Sequence, residues 1–365
     1  MKKVLFVLNN MNIGGTEKAF LNMLDTINPE EYEVTLMLLS KSGGYMSFIP
    51  EWVNVECIEG YDTMKQEIMA PPLLIVKEYL KKGKIKRAAG IFFYHCLFKM
   101  TDDRTEYYKF VLGKHVNQTP YDIAIAYCGP FDFLTVYVLF FVKALKKIQW
   151  IHFDVSKFNF NTKMCKRLYP RFDKICVVSE EARKELVNKV PEIRDKTETY
   201  LNVVSKKKCR EMAEKGIGYS DNYKGIRIVT VGRLSEEKGQ DIIPDVAIQL
   251  KRAGIEFRWY LIGDGKLRKE IERKIQEYNL GDKVVLLGTQ VNPYPYLKGA
   301  SLYVQTSIHE GYCITLAEAK AFELPIVSTE CAGAHEQLDD CEGCCVVKRD
   351  AEQIYEVVKK ILKEK

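Results

Sequence analysis

Two cations stand directly after a predicted strand in the second half of the chain. Gly232 and Arg233 follow the apolar stretch Ile226–Val231, and Lys238 comes five residues later. Arginine grips two oxygens of a phosphate in its planar fork, and lysine adds a mobile point charge. Gly232 allows the chain to turn off the strand tip. The pattern predicts a diphosphate site, and a solvated loop whose charges contact no ligand stays open as the alternative.

A second motif joins two carboxylates to a turn and the start of a helix. Glu310 follows the predicted strand Leu302–Gln305, and Glu318 lies one turn into a helix predicted over residues 315–322. The turn between them consists of Gly311, Tyr312, Cys313, Ile314 and Thr315. Backbone amides at a helix N-terminus bind phosphate oxygens, and a carboxylate one turn further accepts hydrogen bonds from ribose hydroxyls. The motif predicts a nucleotide site, although Glu318 alone is also explained by the helix dipole.

Together the two motifs resemble the retaining glycosyltransferases of family 4. The spacing of Glu310 and Glu318 is similar to the paired-glutamate signature of that family. The loop from Gly232 to Lys238 resembles the donor-phosphate motif of the same family. Further similarities follow the family's order along essentially the whole chain: residues 12–17, residues 173–180, Asn202 and residues 263–265. The sequence departs from the commonest form at Tyr312 and Cys313, where Phe and Gly are more usual.

The resemblance implies a fold, a reaction and roles for the donor-binding residues. The fold is α/β of the GT-B type, with two doubly wound Rossmann-like domains facing a cleft. The reaction is transfer from a nucleotide diphosphate sugar with net retention at the anomeric carbon. Arg233 and Lys238 would neutralise the diphosphate leaving group. Glu318 would hold the ribose, and Glu310 would face the donor sugar.

Other positions take supporting roles by the same resemblance. Gly15 would let the backbone approach the donor phosphates. His152 matches the position where the family often places a histidine beside the transferred sugar. Gly232 and Gly263 would belong to the donor-binding loops, together with the turn from Gly311 to Thr315.

The chemistry predicted for this site needs no metal or other cofactor, since the nucleotide sugar is a substrate. Two cations and a helix terminus stabilise the charge that develops on a departing nucleoside diphosphate. The sequence has no Asp-x-Asp motif to hold a divalent ion beside a diphosphate. The adjacent pairs at 102–103 and 339–340 are interpreted as caps or surface turns.

The cysteines predict reduced thiols rather than a cross-linked or zinc-binding protein. The chain has eleven cysteines and no secretory signal, because its first apolar run covers only residues 4–8. Cys341 and Cys344 have metal-ligand spacing, but neither a second Cys-x-x-Cys pair nor a matching histidine pair accompanies them. The expected location is therefore cytoplasmic.

Apolar runs alternate with amphipathic ones along the chain, which indicates βα units and parallel sheets. Besides the two strands named above, strands are predicted at 4–8, 34–39, 122–126, 148–151, 175–178, 259–262, 284–287 and 326–328. A polar, lysine-rich break between residues 202 and 224 suggests two domains. The predicted boundaries are residues 1–205 for an acceptor-binding domain and 206–350 for a nucleotide-sugar-binding domain. Residues 351–365 form a last helix that the resemblance sends back to the first domain.

The segment from Lys77 to Lys99 is basic and rich in aromatic residues. It contains seven Lys or Arg and one Glu, interleaved with apolar residues that include Phe92 and Phe93. Such a segment is typical of a helix that lies on anionic lipid, and an ordinary helix pair with solvated lysines is the alternative. The net charge of +6 is modest and no recognition motif accompanies it, so a nucleic-acid partner is not expected. The longest apolar stretch, residues 133–142, is too short to span a bilayer.

The sequence thus favours a retaining hexosyltransferase that uses a nucleotide sugar, with uridine as the expected base. The acceptor is expected to be a glycan or a lipid-linked glycan of a capsule or other surface polysaccharide, reached at the inner face of the membrane. A nucleotide-sugar epimerase, a phosphorylase and a non-catalytic sugar-nucleotide binding protein are the alternatives. A phosphorylase would need a pyridoxal lysine in a larger chain, and an epimerase would lack the spacing of Glu310 and Glu318.

Overall fold

The chain divides into two compact units, Met1–Leu201 and Asn202–Lys365. The computed structural model describes residues 1–129, 132–153, 155 and 161–363. The division falls a few residues before the domain boundary placed after residue 205 from the sequence.

The first unit is built on a seven-stranded parallel sheet. Its strands are β1 (Lys2–Leu8), β2 (Tyr32–Leu38), β3 (Asn54–Cys57), β4 (Asn117–Gly129), β5 (Val142–Ile151), β6 (Lys174–Val177) and β7 (Thr197–Thr199). Their order in the sheet is β3-β2-β1-β4-β5-β6-β7. The helices are α1 (Gly15–Leu24), α2 (Tyr61–Met69), α3 (Pro72–Lys81), α4 (Ile85–Thr101), α5 (Thr105–Leu112), α6 (Asp132–Phe141), α7 (Thr162–Leu168) and α8 (Glu180–Lys189).

The second unit is built on a six-stranded parallel sheet. Its strands are β8 (Ile226–Val231), β9 (Phe257–Ile262), β10 (Val284–Gly288), β11 (Leu302–Gln305), β12 (Ile326–Thr329) and β13 (Cys344–Val347). Their order is β10-β9-β8-β11-β12-β13. The helices are α9 (Lys206–Glu214), α10 (Ile243–Arg252), α11 (Arg268–Glu277), α12 (Tyr294–Lys298), α13 (Ile314–Lys320), α14 (Ala334–Leu338) and α15 (Ala351–Lys363).

Burial explains why these apolar runs become parallel strands. The last five residues of β1 and all four residues of β11 are buried, as expected where helices cover both faces of a sheet. The strand order reverses between β1 and β4 in the first sheet and between β8 and β11 in the second. In doubly wound sheets ligands bind beyond the carboxyl ends of the strands at such a reversal. The loops after β8 and β11 are the two motifs found in the sequence.

The last helix packs within the second unit. Ile354, Val358 and Leu362 on one face of α15 belong to the core beneath that sheet, and the helix contacts α10, β12 and β13. A crossing of the chain end to the first domain stays a prediction.

The expectation of reduced thiols is wrong for one cysteine pair. A disulfide bond joins Cys341, in the turn after α14, to Cys344, the first residue of β13. Their Cα atoms lie 5.4 Å apart, within the range that a disulfide spans, because the turn folds the two residues towards each other. The other nine cysteines are free thiols.

Within the described residues, no helix is both long enough and apolar enough to cross a membrane. The apolar stretch at 133–142 forms most of α6, whose side chains are largely buried in the first core.

Candidate functional site

The loops after β8 and β9 are held together by their backbones. The Gly232 amide donates to the Ile262 carbonyl at 2.9 Å, and the Leu234 amide donates to the Asp264 carbonyl at 3.0 Å. Gly263 has a φ of +145°, and a Cβ there would lie 1.9 Å from the Gly232 carbonyl oxygen. Only glycine fits this close approach. The two loops therefore present a fixed backbone at the carboxyl end of the sheet. The role of Gly263 is to let these loops pack closely together.

A second set of contacts ties the turn after β8 to the loop after β11. The amides of Ile308 and His309 donate to the Glu237 carbonyl at 2.9 and 3.1 Å. The Thr306 hydroxyl donates to the Lys238 carbonyl at 3.0 Å. Gly239 has a φ of +61°, and a Cβ there would lie 2.4 Å from the Thr306 carbonyl oxygen. These contacts place Lys238 beside Glu310.

One oxygen of Glu310 accepts three hydrogen bonds. Its Oε1 accepts from Lys238 Nζ at 2.6 Å, from Ser307 Oγ at 2.6 Å and from Gln305 Nε2 at 3.3 Å. The Glu310 side chain is only 8% exposed, whereas that of Lys238 is 26% exposed. Oε2 accepts no hydrogen bond from the residues that the structure describes. The carboxylate is thus fixed through one oxygen.

The two predicted phosphate cations differ in their surroundings. Burial alone would lower the pKa of Lys238, but the Glu310 carboxylate outweighs it and raises that pKa above its usual value. Lys238 therefore carries its charge inside the site. Arg233 is exposed and makes no ion pair with the described residues. Its carbonyl accepts a hydrogen bond from Gln240 Nε2 at 2.9 Å, which fixes the backbone of its loop.

The turn before α13 adopts a conformation that its sequence does not favour. Cys313 has a φ of +54° and caps the helix, in the left-handed region where glycine is common. Its thiol is buried, and burial raises the pKa of Cys313 well above the usual value. The helix runs over Ile314–Lys320, whereas the sequence placed it at 315–322. Gly311, Tyr312 and Thr315 are partly exposed, and Ile314 is buried.

Glu318 is buried and held from a neighbouring helix. Its Oε1 accepts a hydrogen bond from the Tyr294 hydroxyl at 2.7 Å, and only 4% of the residue is exposed. Tyr294 begins α12. The carboxylate is therefore oriented by a tyrosine that the sequence motifs did not include.

In the first unit, the candidate residues lie at the carboxyl edge of its sheet. Gly15 opens α1 and is exposed. His152 follows β5 and is buried, with its ring centroid 4.4 Å from that of Tyr127. Burial lowers the pKa of His152 to about 3, so its ring is neutral near pH 7.

Three buried polar atoms at this edge have no hydrogen-bond partner among the described residues. They are Asn9 Oδ1, Trp150 Nε1 and His152 Nε2. Buried polar groups are nearly always paired, so unpaired ones at the ends of β1 and β5 are candidates to contact a ligand. Trp150 and His152 stack with an interplanar angle of 9°.

The site in the second unit thus brings Lys238 and Glu310 into contact, with Gly232 and Gly263 packed together nearby. Sequence reasoning missed the residues that hold these groups, namely Gln305, Ser307 and Tyr294, and also Asn9 in the first unit. A polar residue within two positions of the end of a buried strand was an available signal for Ser307 and Asn9. No local pattern distinguished Tyr294. In the described residues no group of three or more His, Cys, Asp or Glu side chains is arranged to hold a metal ion.

One family model matches part of the chain, within the second unit. Residues 220–365 match the family model described as Glycosyl transferases group 1. An uncharacterized glycosyltransferase of Methanocaldococcus jannaschii is 29% identical over 169 residues, which cover 46% of this chain and 42% of that protein.

A second relative has a specific name. N-acetylgalactosamine-N,N'-diacetylbacillosaminyl-diphospho-undecaprenol 4-alpha-N-acetylgalactosaminyltransferase of Campylobacter jejuni is 30% identical over 201 residues. The match covers 54% of this chain and 53% of that protein. The chain therefore spans about half the length of the curated relatives it matches.

Solved structures resemble the whole chain. HepE of Anabaena, in complex with UDP and glucose, aligns with a TM-score of 0.70 at 14% identity, covering 100% of this chain and 90% of HepE. TarM of S. aureus aligns with a TM-score of 0.70 at 13% identity, covering 100% of this chain and 93% of TarM. These likenesses confirm the predicted fold, two doubly wound Rossmann-like domains of the GT-B class.

Proposed function

We propose that this chain is a retaining glycosyltransferase that transfers a hexose or N-acetylhexosamine from a nucleotide diphosphate sugar. UDP is the expected nucleotide, since HepE is a similar fold solved with UDP-glucose. The acceptor is a glycan or a lipid-linked glycan in surface polysaccharide synthesis. The name of the Campylobacter relative, which includes a diphospho-undecaprenol acceptor, supports that class. Transfer would take place in the cytoplasm.

The half-engaged carboxylate of Glu310 is the observation that carries the proposal. Three donors fix Oε1, and Lys238 is the charged one among them. A purely structural buried ion pair gains stability only when its remaining acceptors are also satisfied, and Oε2 receives no hydrogen bond from the described residues. Oε2 is the atom that we assign to the donor sugar, and a diphosphate would compete with Glu310 for the Lys238 ammonium.

The leaving group defines the role of the cations. When the bond from the sugar to the nucleoside diphosphate breaks, negative charge develops on the phosphate oxygen. Lys238, held in place by Glu310, is preorganised to stabilise that charge, and the exposed Arg233 would add a second positive charge once the diphosphate binds. His152 and Gly15 of the first unit keep the roles that the family resemblance implies, as predictions.

The proposed mechanism needs no metal, because the cations supply the stabilising charge. We expect a chelator to leave the rate of donor turnover nearly unchanged. The measurement is the release of UDP with and without EDTA. Complete loss of activity that manganese restores would contradict the mechanism.

Product analysis with a radiolabelled donor tests the proposed reaction. A thermal-shift screen of nucleotide sugars first selects the donor, because a ligand that binds only the folded state raises the melting temperature. We expect transfer to an acceptor or slow hydrolysis of that donor, with the anomeric configuration retained as read by NMR. A changed sugar still attached to the nucleotide would instead identify an epimerase. Binding with the donor unchanged would identify a non-catalytic binding protein.

A further inference from the structure

The helical hairpin of α3 and α4 presents apolar side chains to solvent. The exposed large hydrophobic residues of the described chain are most numerous here, and a smaller group, Tyr200, Leu201 and Val203, precedes α9. We define the hairpin face by six of them: Leu73, Leu74, Leu80, Ile85, Phe92 and Phe93. Leu74 is 62% exposed, Ile85 66% and Phe93 61%. Single exposed apolar residues are ordinary, but a cluster with a polar rim marks an interaction surface.

The spacing of these residues places them on one side of each helix. On α3, Leu74 and Leu80 lie one and seven residues after Leu73, and a helix brings these positions to one face. On α4, Ile85, Phe92 and Phe93 repeat after seven and eight residues in the same way. Ile75 on α3 and Ile91 on α4 are buried on the opposite sides of the two helices. The normal pattern of a surface helix is therefore doubled, with apolar residues on both the inner and the outer face.

The inner face of the hairpin is already packed and hydrogen-bonded to the rest of the first unit. The outer face is therefore not needed to complete that core. The guanidinium of Arg87 on α4 pairs with both carboxylate oxygens of Glu67 on α2, and its Nε donates at 2.9 Å. Arg87 also donates to the Phe110 carbonyl of α5 at 3.1 Å. The Tyr79 hydroxyl on α3 donates to Glu67 at 2.6 Å. Because the Glu67 side chain is 2% exposed, this network fixes both helices to the unit.

Positive charges accompany the exposed apolar residues. Lys77 and Lys81 are exposed and lie between the leucines on the outer side of α3. Lys86 is exposed next to Ile85 at the start of α4. The acidic residue within α3, Glu78, pairs with Lys82. The hairpin face thus combines aromatic and aliphatic side chains with unneutralised lysines.

We propose that the hairpin face docks on the surface of an anionic lipid bilayer. Phe92, Phe93 and the leucines would enter the boundary between headgroups and acyl chains, as the apolar face of an interfacial helix does. The lysines would contact the lipid phosphates. A second copy of this chain is a poorer occupant, because the same lysines would face each other across the contact.

Vesicle flotation tests the proposal with the full-length protein. Vesicles of phosphatidylcholine mixed with an equal part of phosphatidylglycerol are compared with vesicles of phosphatidylcholine alone. We expect the protein to float with the anionic vesicles, less so at high salt, and to bind the neutral ones far more weakly. Failure to float with the anionic vesicles overturns the proposal.

Paired substitutions separate the apolar from the charged contribution. The Lys77→Glu/Lys81→Glu variant should lose at least about 30-fold in affinity for the anionic vesicles, from two contacts of about 1 kcal/mol each. Phe92→Ser/Phe93→Ser should lose more than about tenfold. The control variants Lys184→Glu/Lys269→Glu and Leu145→Ser/Ile217→Ser change exposed residues elsewhere and should bind like the unmodified protein.

Two further measurements keep other outcomes distinct. The melting temperature should be nearly unchanged in all four variants, since the altered side chains are exposed. If Phe92→Ser/Phe93→Ser instead converts a dimer to a monomer in gel filtration and flotation is unaffected, the face is a dimer contact and the proposal is wrong. No nucleotide sugar is present in the assay, so its result is independent of the proposed transfer reaction.

Discussion

At the carboxyl end of β11, Glu310 gives one oxygen to three donors and keeps the second unengaged. This arrangement fixes the direction of the carboxylate without using up its capacity to accept. Lys238 is likewise only partly engaged, because its side chain is paired with Glu310 and yet 26% exposed. A buried ion pair costs desolvation that a hydrophobic pair would avoid. The position of the Lys238–Glu310 pair at the strand reversal is therefore better explained by ligand binding than by a contribution to stability.

The role of Glu318 in holding the ribose can be tested by binding. We predict that Glu318→Ala weakens UDP binding by about 10- to 100-fold, the value of one hydrogen bond to a charged group. Isothermal titration calorimetry measures the affinity, and Glu270→Ala on α11 is the exposed control.

Tyr294→Phe separates orientation from direct contact. It removes the 2.7 Å hydrogen bond to Glu318 but keeps the carboxylate, so we expect a smaller loss of affinity than for Glu318→Ala. Unchanged UDP affinity in Glu318→Ala would remove the ribose assignment.

His152 should make stability depend on pH in a defined window. Burial lowers its pKa from 6.5 to about 3, so the unfolded chain binds a proton there that the folded chain excludes. The protein therefore loses stability as the pH falls from about 6.5 towards 3, by about 1.4 kcal/mol per pH unit from this one group.

A matched pair of histidine variants isolates that contribution. In urea unfolding measured across this pH range, His152→Gln should show a shallower loss than the unmodified protein. His115→Gln, which alters an exposed histidine, should keep the original dependence. Parallel curves for His152→Gln and the unmodified protein would show that the histidine is not buried as a neutral ring.

Among the elements, the paired ends of β8 and β9 depend on a single glycine. Gly263→Ala would place a Cβ 1.9 Å from the Gly232 carbonyl oxygen at a φ of +145°. We predict a loss of about 2–4 kcal/mol in the free energy of unfolding. Gly281→Ala, where a Cβ meets no atom within 4 Å, should change it little. Urea denaturation of both variants makes the comparison, and equal stabilities would contradict the close packing of the two loops.

Most strands could be predicted from the sequence, including the edge strand β10, whereas the edge strands β3 and β7 of the first sheet could not. The strands β8 and β11 begin and end where their apolar runs do. The edge strand β3 has no buried residue, and β7 has three residues, of which only one is buried. Neither leaves an apolar run to detect. The first six residues of β5, before the predicted strand at 148–151, were also missed, because Lys143, Lys146 and Lys147 interrupt the apolar pattern.

The candidate site was predictable where its chemistry is local in sequence. Lys238 and Glu310 were found from motifs on separate strands, but their 2.6 Å contact depends on backbone bonds between the two loops. The hydrogen bond from Tyr294 to Glu318 joins residues 24 positions apart. Cys313 shows the converse case, because a residue unfavourable at positive φ is held there by its surroundings.

At the scale of the whole molecule, two units of similar architecture carry different parts of the proposed reaction. The second contains the phosphate cations and both glutamates, and residues 220–365 are the part that matches a family model. The first contains His152, the unpaired polar atoms at its sheet edge, and the hairpin face. We assign the donor chemistry to the second unit, most of which matches that family model, and recognition of the acceptor and the membrane to the first.

The central claim is that Glu310 acts on the sugar of a nucleotide diphosphate donor. The most direct test is the rate of UDP release from the selected UDP-sugar by the unmodified protein, Glu310→Gln and the exposed control Glu270→Gln. We predict that Glu310→Gln loses at least about 100-fold in rate while it still binds UDP, and that Glu270→Gln is unchanged. A Glu310→Gln protein that releases UDP at the unmodified rate would contradict the account.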